Sequence, residues 1–554
     1  MVDFSSLLED YTEDNLVSIL NFKGWHSAYE VKNFHFYIYL QEYLSEAKGL
    51  GATHCLIERE YISKDYIDDY SDFYSLCFQT YEKKCLRVHF FNFKGEENYS
   101  IKFVNAFYQK DSKTFWDNHY LGFVVIKPIP SSIIGYTLLK TYNHKENIFP
   151  YLKERQFWGI KSYEVHLFGE KIEIESLAFQ QQDNVLSACA TISIWVLLHR
   201  ASTYPYVPLK SPGKITIEAG LTDAEGGRLI PNKKGLIIPA MSEAITKSNL
   251  LTEVRMSQRN QNFNKYIKKL IFAYSHLHLP IIMALKVPSN GKFVGHAVAI
   301  CGHKISNVSR RSKFNKILKQ ATANLQNEIN LSKLNTDFIA WHALDMEEIY
   351  VHDDQWGPFT RMKFLKNRRL SSSWSDYHKE NKKAKPEVLL ISVYPKVRIS
   401  YDDIEPIVYG INELLEQLLE DELRWDLTWA IKVQRSTEYK DEFLESAFLD
   451  INNIEDKKLI DKVLLLELPR YIWVATCYSA ECKFFDFIFD ATDFSGGVIC
   501  LSILNYYPII STGLSERIKD DIIENTEYIE NFKNILPYRI LQFLVNNFND
   551  NDII

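Results

Sequence analysis

The chain has 554 residues, of which 46% are hydrophobic, and its formal net charge is −7. Tyr and Phe are abundant (33 and 34) while Gly and Pro are sparse (21 and 17), which excludes a disordered or fibrous protein. The mildly acidic balance gives no electrostatic reason to expect nucleic acid as a partner. At roughly 100–200 residues per domain, about three domains are expected.

The compartment is predicted from the first residues and from the cysteines. The opening MVDFSSLLEDYTEDN has no basic stretch followed by an apolar one, so we expect no signal peptide. The uncharged stretch near the candidate site, residues 184–198, is too short to cross a bilayer, so we expect no membrane partner. Eight scattered cysteines without a CxxC pair fit reduced thiols in the cytosol. The chain is therefore predicted to be cytoplasmic.

Three regions are expected along the chain. Residues 1–170 combine helical spacing over 37–47 with a strand-like apolar run over 86–93, which predicts a mixed α/β domain. Residues 171–400 hold the candidate catalytic side chains. Residues 401–554 are predicted to form a C-terminal α/β domain.

Two polar segments interrupt the middle region. Residues 306–335 are rich in Lys, Asn and Gln and predict an inserted helix. Residues 361–386 are basic and lack periodicity, which is typical of a mobile loop or linker. A contact surface for an acidic partner is the alternative for this second segment.

A cysteine lies at the predicted start of an apolar helix. The sequence from 180 to 195 reads QQQDNVLSACATISIW, a polar loop followed by an almost wholly apolar run. If the helix begins near Ser187, Cys189 falls in its first turn, where free N–H groups and the helix dipole favour the thiolate. A thiolate is the nucleophile that acyl transfer needs. Taken alone, such a cysteine is more often part of the core.

A histidine follows about a hundred residues later on a predicted strand. Small and β-branched residues alternate around His296 in VGHAVAICGH, which predicts a strand inside a sheet. Alone, this pattern is typical of a hydrogen-bonded core histidine. A metal site is a further alternative, because Cys301 and His303 are two possible ligands two residues apart, with His352 as a third.

An acidic turn closes the next predicted strand. Residues 348–359 read EIYVHDDQWGPF, a strand that runs into Asp353 and Asp354 before Gly-Pro. A carboxylate at a strand end can accept a hydrogen bond from an imidazole and fix its tautomer. Either aspartate could fill this role, and an ordinary turn is the simpler alternative.

The ordered set of these motifs resembles papain-fold cysteine peptidases, in particular the bacteriocin-processing, C39-like branch. The resemblance covers three motifs within about residues 175–360: Gln before a helix-leading Cys, Gly-His on a strand, and Asp after a later strand. It implies Cys189 as nucleophile, His296 as base, Asp353 as orienting residue and Gln182 as oxyanion donor. Gln181 stays open as the alternative donor, and Asp354 as the alternative orienting residue.

The resemblance implies an α+β fold with a papain-like core between N-terminal and C-terminal α/β extensions. It implies hydrolysis of a peptide or isopeptide bond through a thioester, with no cofactor, on a peptide or protein substrate. The flanking regions would then select the target or bind a regulatory protein. Two alternatives remain: an acyltransferase, transglutaminase or deamidase with the same triad, and a non-catalytic interaction scaffold built on a peptidase fold.

Overall fold

The computed structural model describes most of the chain. The described residues are 7–45, 49–108, 112–141, 155–182, 189–220, 236–257, 262–289, 292–305, 340–366, 368–373, 383–418, 427–445, 454–479, 482–493, 495 and 498–506.

A five-stranded antiparallel sheet with strands in sequence order forms the first layer. Its strands are β1 Leu8–Asp10, β2 His54–Tyr61, β3 Cys85–Phe91, β4 Tyr120–Ile126 and β5 Ile134–Leu139. The helices around it are α1 Glu13–Leu20, α2 Ala28–Lys32, α3 His35–Leu44, α4 Lys64–Asp72, α5 Tyr99–Ala106 and α6 Lys113–His119, with a 3-10 turn at Tyr74–Leu76. Local sequence starts two of these helices: the Thr12 side chain caps α1, and Ser27 and Glu30 form a capping box at α2.

An eight-stranded antiparallel sheet forms the middle of the molecule. Its order is β15-β14-β13-β11-β10-β16-β9, and β6 pairs with β11. The strands are β6 Arg155–Phe157, β9 Leu251–Met256, β10 Ile281–Ser289, β11 Lys292–Ile305, β13 Met346–Asp353, β14 Gly357–Phe364, β15 Leu370–Ser371 and β16 Lys385–Val393. The helices are α7 Cys189–Ala201, α8 Pro212–Glu218, α9 Ile238–Thr246 and α10 Phe263–Ser275.

A separate two-stranded hairpin lies between β6 and α7 in the chain. Strands β7 Lys161–Leu167 and β8 Glu170–Ser176 alternate buried and exposed residues along their length. The two-residue loop has positive φ at both Phe168 and Gly169, the conformation of a tight hairpin turn.

A second five-stranded sheet lies towards the C-terminus, in the order β12-β17-β18-β19-β20. Its strands are β12 Ala340–Trp341, β17 Thr428–Arg435, β18 Tyr471–Ser479, β19 Cys482–Asp490 and β20 Cys500–Asn505. The helices are α11 Tyr401–Leu418, α12 Ser436–Leu444 and α13 Ile454–Leu465, with a 3-10 turn at His342–Asp345. The chain thus combines helices with sheets that are antiparallel apart from the β12–β17 pair, and the α+β class is confirmed at this level.

Two strand pairings cross the boundaries of the three predicted regions. Strand β6, within residues 1–170, pairs with β11 of the middle sheet. Strand β12, within residues 171–400, pairs with β17 of the C-terminal sheet. One continuous core cluster also includes residues from all three regions. The division stays a prediction, and these crossings tie the regions together.

The basic segment at 361–386 is only partly the loop that its composition indicated. Strand β14 continues to Phe364, β15 occupies Leu370–Ser371, and β16 begins at Lys385. Cross-strand pairing outweighs the polar composition at these positions: along β14 the charged Arg361 and Lys363 are exposed while Met362 between them is buried, the alternation of a strand with one buried face. The helix predicted over 306–335 lies outside the described residues. Within the described part, no helix combines the length and apolar character that spanning a membrane requires.

Two glycines on β11 offer a matched test of the packing. A Cβ at Gly302 would lie 2.7 Å from the Phe157 ring and 2.8 Å from the Gln156 carbonyl on β6, whereas a Cβ at Gly295 meets none of the described atoms within 4 Å. We expect Gly302→Ala to lower the free energy of unfolding by about 1–3 kcal/mol, the usual cost of overpacking a core.

Urea denaturation followed by circular dichroism measures this effect, with Gly295→Ala as the control. We expect the control to unfold within about 0.5 kcal/mol of wild type, the usual range for substitutions away from packed features. Equal midpoints for the two variants would contradict the close approach of β6 to Gly302.

Candidate active site

Helix α7 places Cys189 at the edge of the middle sheet. It begins at Cys189, runs to Ala201 and packs against β11, β10 and β13. Its interior is wholly buried, with Trp195 and Leu198 fully inaccessible. The cysteine is half-buried, and its carbonyl accepts a hydrogen bond from the Ser193 hydroxyl at 3.0 Å. The sulfur is therefore held on rigid support and still partly exposed.

Two neighbouring strands bring His296 and Asp353 together. His296 lies on β11 opposite Leu285 of β10, and Asp353 is the last residue of β13. Strand β13 pairs antiparallel with β11, with Ala299 opposite His352, so the end of β13 comes beside His296. His296 Nε2 lies 3.0 Å from Asp353 Oδ1, and both side chains are buried.

The turn after β13 fixes the Asp353 carboxylate. The same oxygen, Oδ1, accepts a hydrogen bond from the Gln355 backbone N–H at 3.1 Å, and the Trp356 N–H donates to the Asp353 carbonyl at 2.9 Å. A carboxylate with its own backbone donor keeps its orientation. It can therefore fix the tautomer of His296 by accepting from Nε2.

The N-terminal region holds this turn from outside. His35 of α3 stacks on Trp356 with ring centroids 4.3 Å apart and an interplanar angle of 5°. The Tyr39 hydroxyl donates to the Pro358 carbonyl, and the Tyr39 ring occupies the space where a Cβ on Gly357 would lie. Any side chain at 357 would therefore push the Tyr39 ring of α3 away from the turn that carries Asp353.

The charge state of His296 reflects its neighbours. Burial favours the neutral imidazole, but the charge and hydrogen bond of Asp353 outweigh it and raise the pKa of His296 well above its ordinary value. A hydrogen bond and charge interaction with Cys189 raise the pKa of His296 further. The imidazole and the carboxylate are thus in contact, and the helix that begins at Cys189 packs on the strand that carries the imidazole. A base held between these groups can take a thiol proton and return it.

Asp354 lies beside this pair in a different environment. Its Oδ1 is 3.8 Å from His296 Nε2, beyond hydrogen-bonding distance. Burial, reinforced by the neighbouring Asp353 charge and opposed by His296, raises the pKa of Asp354 to about 7. Of the two aspartates that the sequence left open, Asp353 makes the hydrogen bond to His296.

The glutamines before Cys189 lie on the wall of a cavity beside Asp354. Gln182 lines this cavity. Gln181 pairs with β5, since its Oε1 accepts from the Ile134 N–H at 3.3 Å. Gln180 was not singled out from the sequence, yet it is buried and its Nε2 has no hydrogen-bond partner among the described residues. Residues 183–188 lie outside the described residues. The oxyanion role of Gln182 stays a prediction.

The possible metal ligands fall into two groups. Ligand atoms of His296, Asp353 and Asp354 lie within 4.8 Å of one another, a spacing that could suit a cation. We assign this group to proton chemistry, because His296 is engaged by Asp353 through Nε2 and interacts with the Cys189 thiol.

The zinc alternative on Cys301, His303 and His352 fits the structure poorly. His352 donates from Nε2 to the Leu177 carbonyl at 3.1 Å, and its Nδ1 accepts from the Phe359 N–H at 3.2 Å. Both ring nitrogens are therefore used by the fold. Burial lowers the pKa of His352 to about 4 and that of His303 to about 3, as expected for neutral core imidazoles.

Comparison of the chain with protein-family models, with curated proteins and with solved structures finds no match.

Replacing Asp353 by Asn should lower the pKa of His296, because the charge is lost while the imidazole remains buried. Since the folded pKa of His296 is raised, its contribution to stability is present below the ordinary value of about 6.5 and is lost as pH rises through the folded value. We expect this pH dependence to flatten in Asp353→Asn. NMR titration of the His296 ring measures the shift.

Asp354→Asn is the matched control for this titration. Its carboxylate makes no hydrogen bond to His296, so we expect a smaller change in the pKa of His296. A larger shift in Asp354→Asn than in Asp353→Asn would assign the orienting role to Asp354.

Proposed function

We propose that this protein is a cysteine hydrolase that cleaves a peptide or isopeptide bond through a thioester on Cys189. One observation carries the proposal: His296 Nε2 lies 3.0 Å from the buried Asp353 carboxylate, on the strand against which the helix that begins at Cys189 packs. Nucleophile, base and orienting group in contact are the arrangement that nucleophilic acyl transfer needs.

The mechanism follows from which nitrogen each partner uses. Asp353 holds Nε2, so Nδ1 is the nitrogen that takes the Cys189 proton. The thiolate attacks the carbonyl carbon, and the C–N bond breaks as the imidazolium of His296 protonates the leaving amine. Water, deprotonated by the same imidazole, then attacks the thioester carbonyl. The carboxylic acid product leaves and the thiol is restored.

The start of α7 supplies part of the oxyanion site in this proposal. The first N–H groups of a helix have no partner within the helix and can donate to a negative oxygen. The Cys189 N–H stands at this position, with Gln182 as the proposed second donor. Such donors stabilise the tetrahedral intermediate more than the substrate.

The substrate class and cellular setting belong to the same proposal. We infer a papain-like, C39-like core acting on a peptide or protein in the cytosol, with the N-terminal and C-terminal regions selecting the target. The packing of α3 on the turn that carries Asp353 supports a role of the N-terminal region at the site. The seven cysteines with described side chains are free thiols, which supports a reducing compartment.

A non-catalytic scaffold is disfavoured by the cost of the buried pair. Burying an imidazole beside a carboxylate costs several kcal/mol of desolvation, which apolar residues of the same size would avoid. A scaffold has no use for this pair, whereas a thiol hydrolase depends on it.

Alkylation tests the thiol–imidazole pair. We expect a low concentration of iodoacetamide to modify Cys189 before the other cysteines at acid pH, because in the proposal His296 takes the thiol proton. His296→Ala should lose this reactivity at acid pH. Peptide mass spectrometry across pH 4–9 locates the modified residue and gives the pH profile.

His303→Ala is the matched control, since it removes another buried imidazole from β11. We expect it to keep the alkylation profile of wild type. Burial raises the pKa of the Cys301 and Cys477 thiols, so both should react more slowly than Cys189. Reaction at either of them before Cys189 would contradict the proposal.

An activated ester tests the covalent step without knowledge of the substrate. We expect p-nitrophenyl acetate to give a burst of nitrophenolate and an acetyl group on Cys189 in intact-mass spectra. His296→Ala should lower the acylation rate by about 100-fold or more, the typical contribution of a general base.

Release of the acyl group then separates hydrolase from transferase. Faster release with a primary amine, and an amide product, would favour the acyltransferase alternative. Absence of an acyl-enzyme together with an unreactive Cys189 would contradict the proposal that the protein is a thiol enzyme.

A further inference from the structure

A cavity of about 350 Å³ lies between the N-terminal region and the catalytic turn. Its walls come from the end of α1, the start of α3, the connection between β4 and β5, the glutamine segment and the turn after β13. This volume is at the lower end of the range of ligand pockets, which is about 300–1,000 Å³. It suits one amino-acid side chain or a small molecule.

Asp354 is the unusual group on this wall. Its side chain is buried, and within the described part of the chain neither carboxylate oxygen has a hydrogen-bond partner. Buried polar groups are almost always hydrogen-bonded, and an unpartnered carboxylate is among the costliest exceptions. A ligand that donates hydrogen bonds or carries positive charge would remove this cost.

Three other polar side chains on the wall are already engaged within the fold. His26 Nε2 lies 2.9 Å from the Pro130 carbonyl, and Gln181 Oε1 accepts from the Ile134 N–H. His35 is stacked on Trp356. The demand for a donor is therefore concentrated at Asp354.

The remaining wall is mainly apolar and aromatic. Phe34, Phe36 and Tyr37 line it together with Leu20 and Ile133. Aromatic faces attract cations, and aliphatic side chains favour a hydrocarbon body. An anion would be repelled by Asp354, and a purely apolar ligand would leave this carboxylate unsatisfied. The wall matches a hydrocarbon chain that ends in an ammonium group.

We propose that this cavity binds an alkylammonium group of the kind carried by a lysine side chain, with Asp354 as its hydrogen-bond acceptor. The inference goes beyond the proposed function, since binding needs no chemistry at Cys189. The bound ammonium group would share the Asp354 carboxylate with His296, whose Nε2 lies 3.8 Å from Asp354 Oδ1. The N-terminal region would thus help to bind a lysine side chain next to Cys189 and His296.

Calorimetry with two probes tests the inference on the full chain. We expect Nα-acetyl-lysine amide to bind and Nα-acetyl-norleucine amide, which lacks the ammonium group, not to bind. Asp354→Asn should weaken lysine-amide binding by about tenfold or more, the loss expected for one charge-assisted hydrogen bond. The same binding in Cys189→Ala would keep this result independent of the proposed hydrolysis.

Asp65→Asn is the matched control variant. Asp65 is another carboxylate whose pKa burial raises, to about 6, and it lines a separate cavity of about 240 Å³. We expect it to bind the lysine amide like wild type. Ser131→Trp, which fills the first cavity from an exposed position on its wall, should abolish binding even if Asp354→Asn proves unstable.

The probes also distinguish the source of the cation. Tighter binding of the lysine amide than of n-butylamine supports a peptide lysine, whereas equal binding supports a free amine as the ligand. Equal binding of the norleucine and lysine amides would overturn the inference. Unchanged lysine-amide binding in both Asp354→Asn and Ser131→Trp would overturn it as well.

Discussion

The candidate site depends on one buried contact, the hydrogen bond between His296 and Asp353. Neither side chain is accessible, and a buried imidazole without its carboxylate would lose the interaction that favours its charged form. Breaking such a pair leaves an uncompensated buried group, which is usually costly. The surrounding elements hold both partners: β11 carries the imidazole, the turn after β13 carries the carboxylate, and α7 closes the third side with Cys189.

The turn that carries Asp353 is held by a distant part of the chain. Helix α3 packs on this turn through His35 and Tyr39, which precede it by more than 300 residues in the sequence. The same packing leaves a cavity beside Asp354. The N-terminal region therefore both holds the turn that carries Asp353 and lines the cavity beside Asp354.

Much of the site was predictable because its signals are local. The apolar run after Cys189 indicates a buried helix, and the alternation around His296 indicates a buried strand; both elements form where expected. The order of Cys, His and Asp indicated which residues could meet. Composition was a weaker guide at 361–386, where β14, β15 and β16 take up residues that looked like linker, because strand pairing outweighs polarity.

The sequence by itself determined the α+β character of the chain and the three residue types that could form a thiol site. Tertiary structure decided which neighbour each residue has. Asp353 and Asp354 are adjacent and chemically identical, and only the pairing of β13 with β11 and the turn geometry bring Asp353 within 3.0 Å of His296. The cavity is likewise tertiary, since its walls come from segments far apart in sequence. Local patterns specify periodicity and burial, whereas contacts between distant segments arise only when the sheets and helices pack.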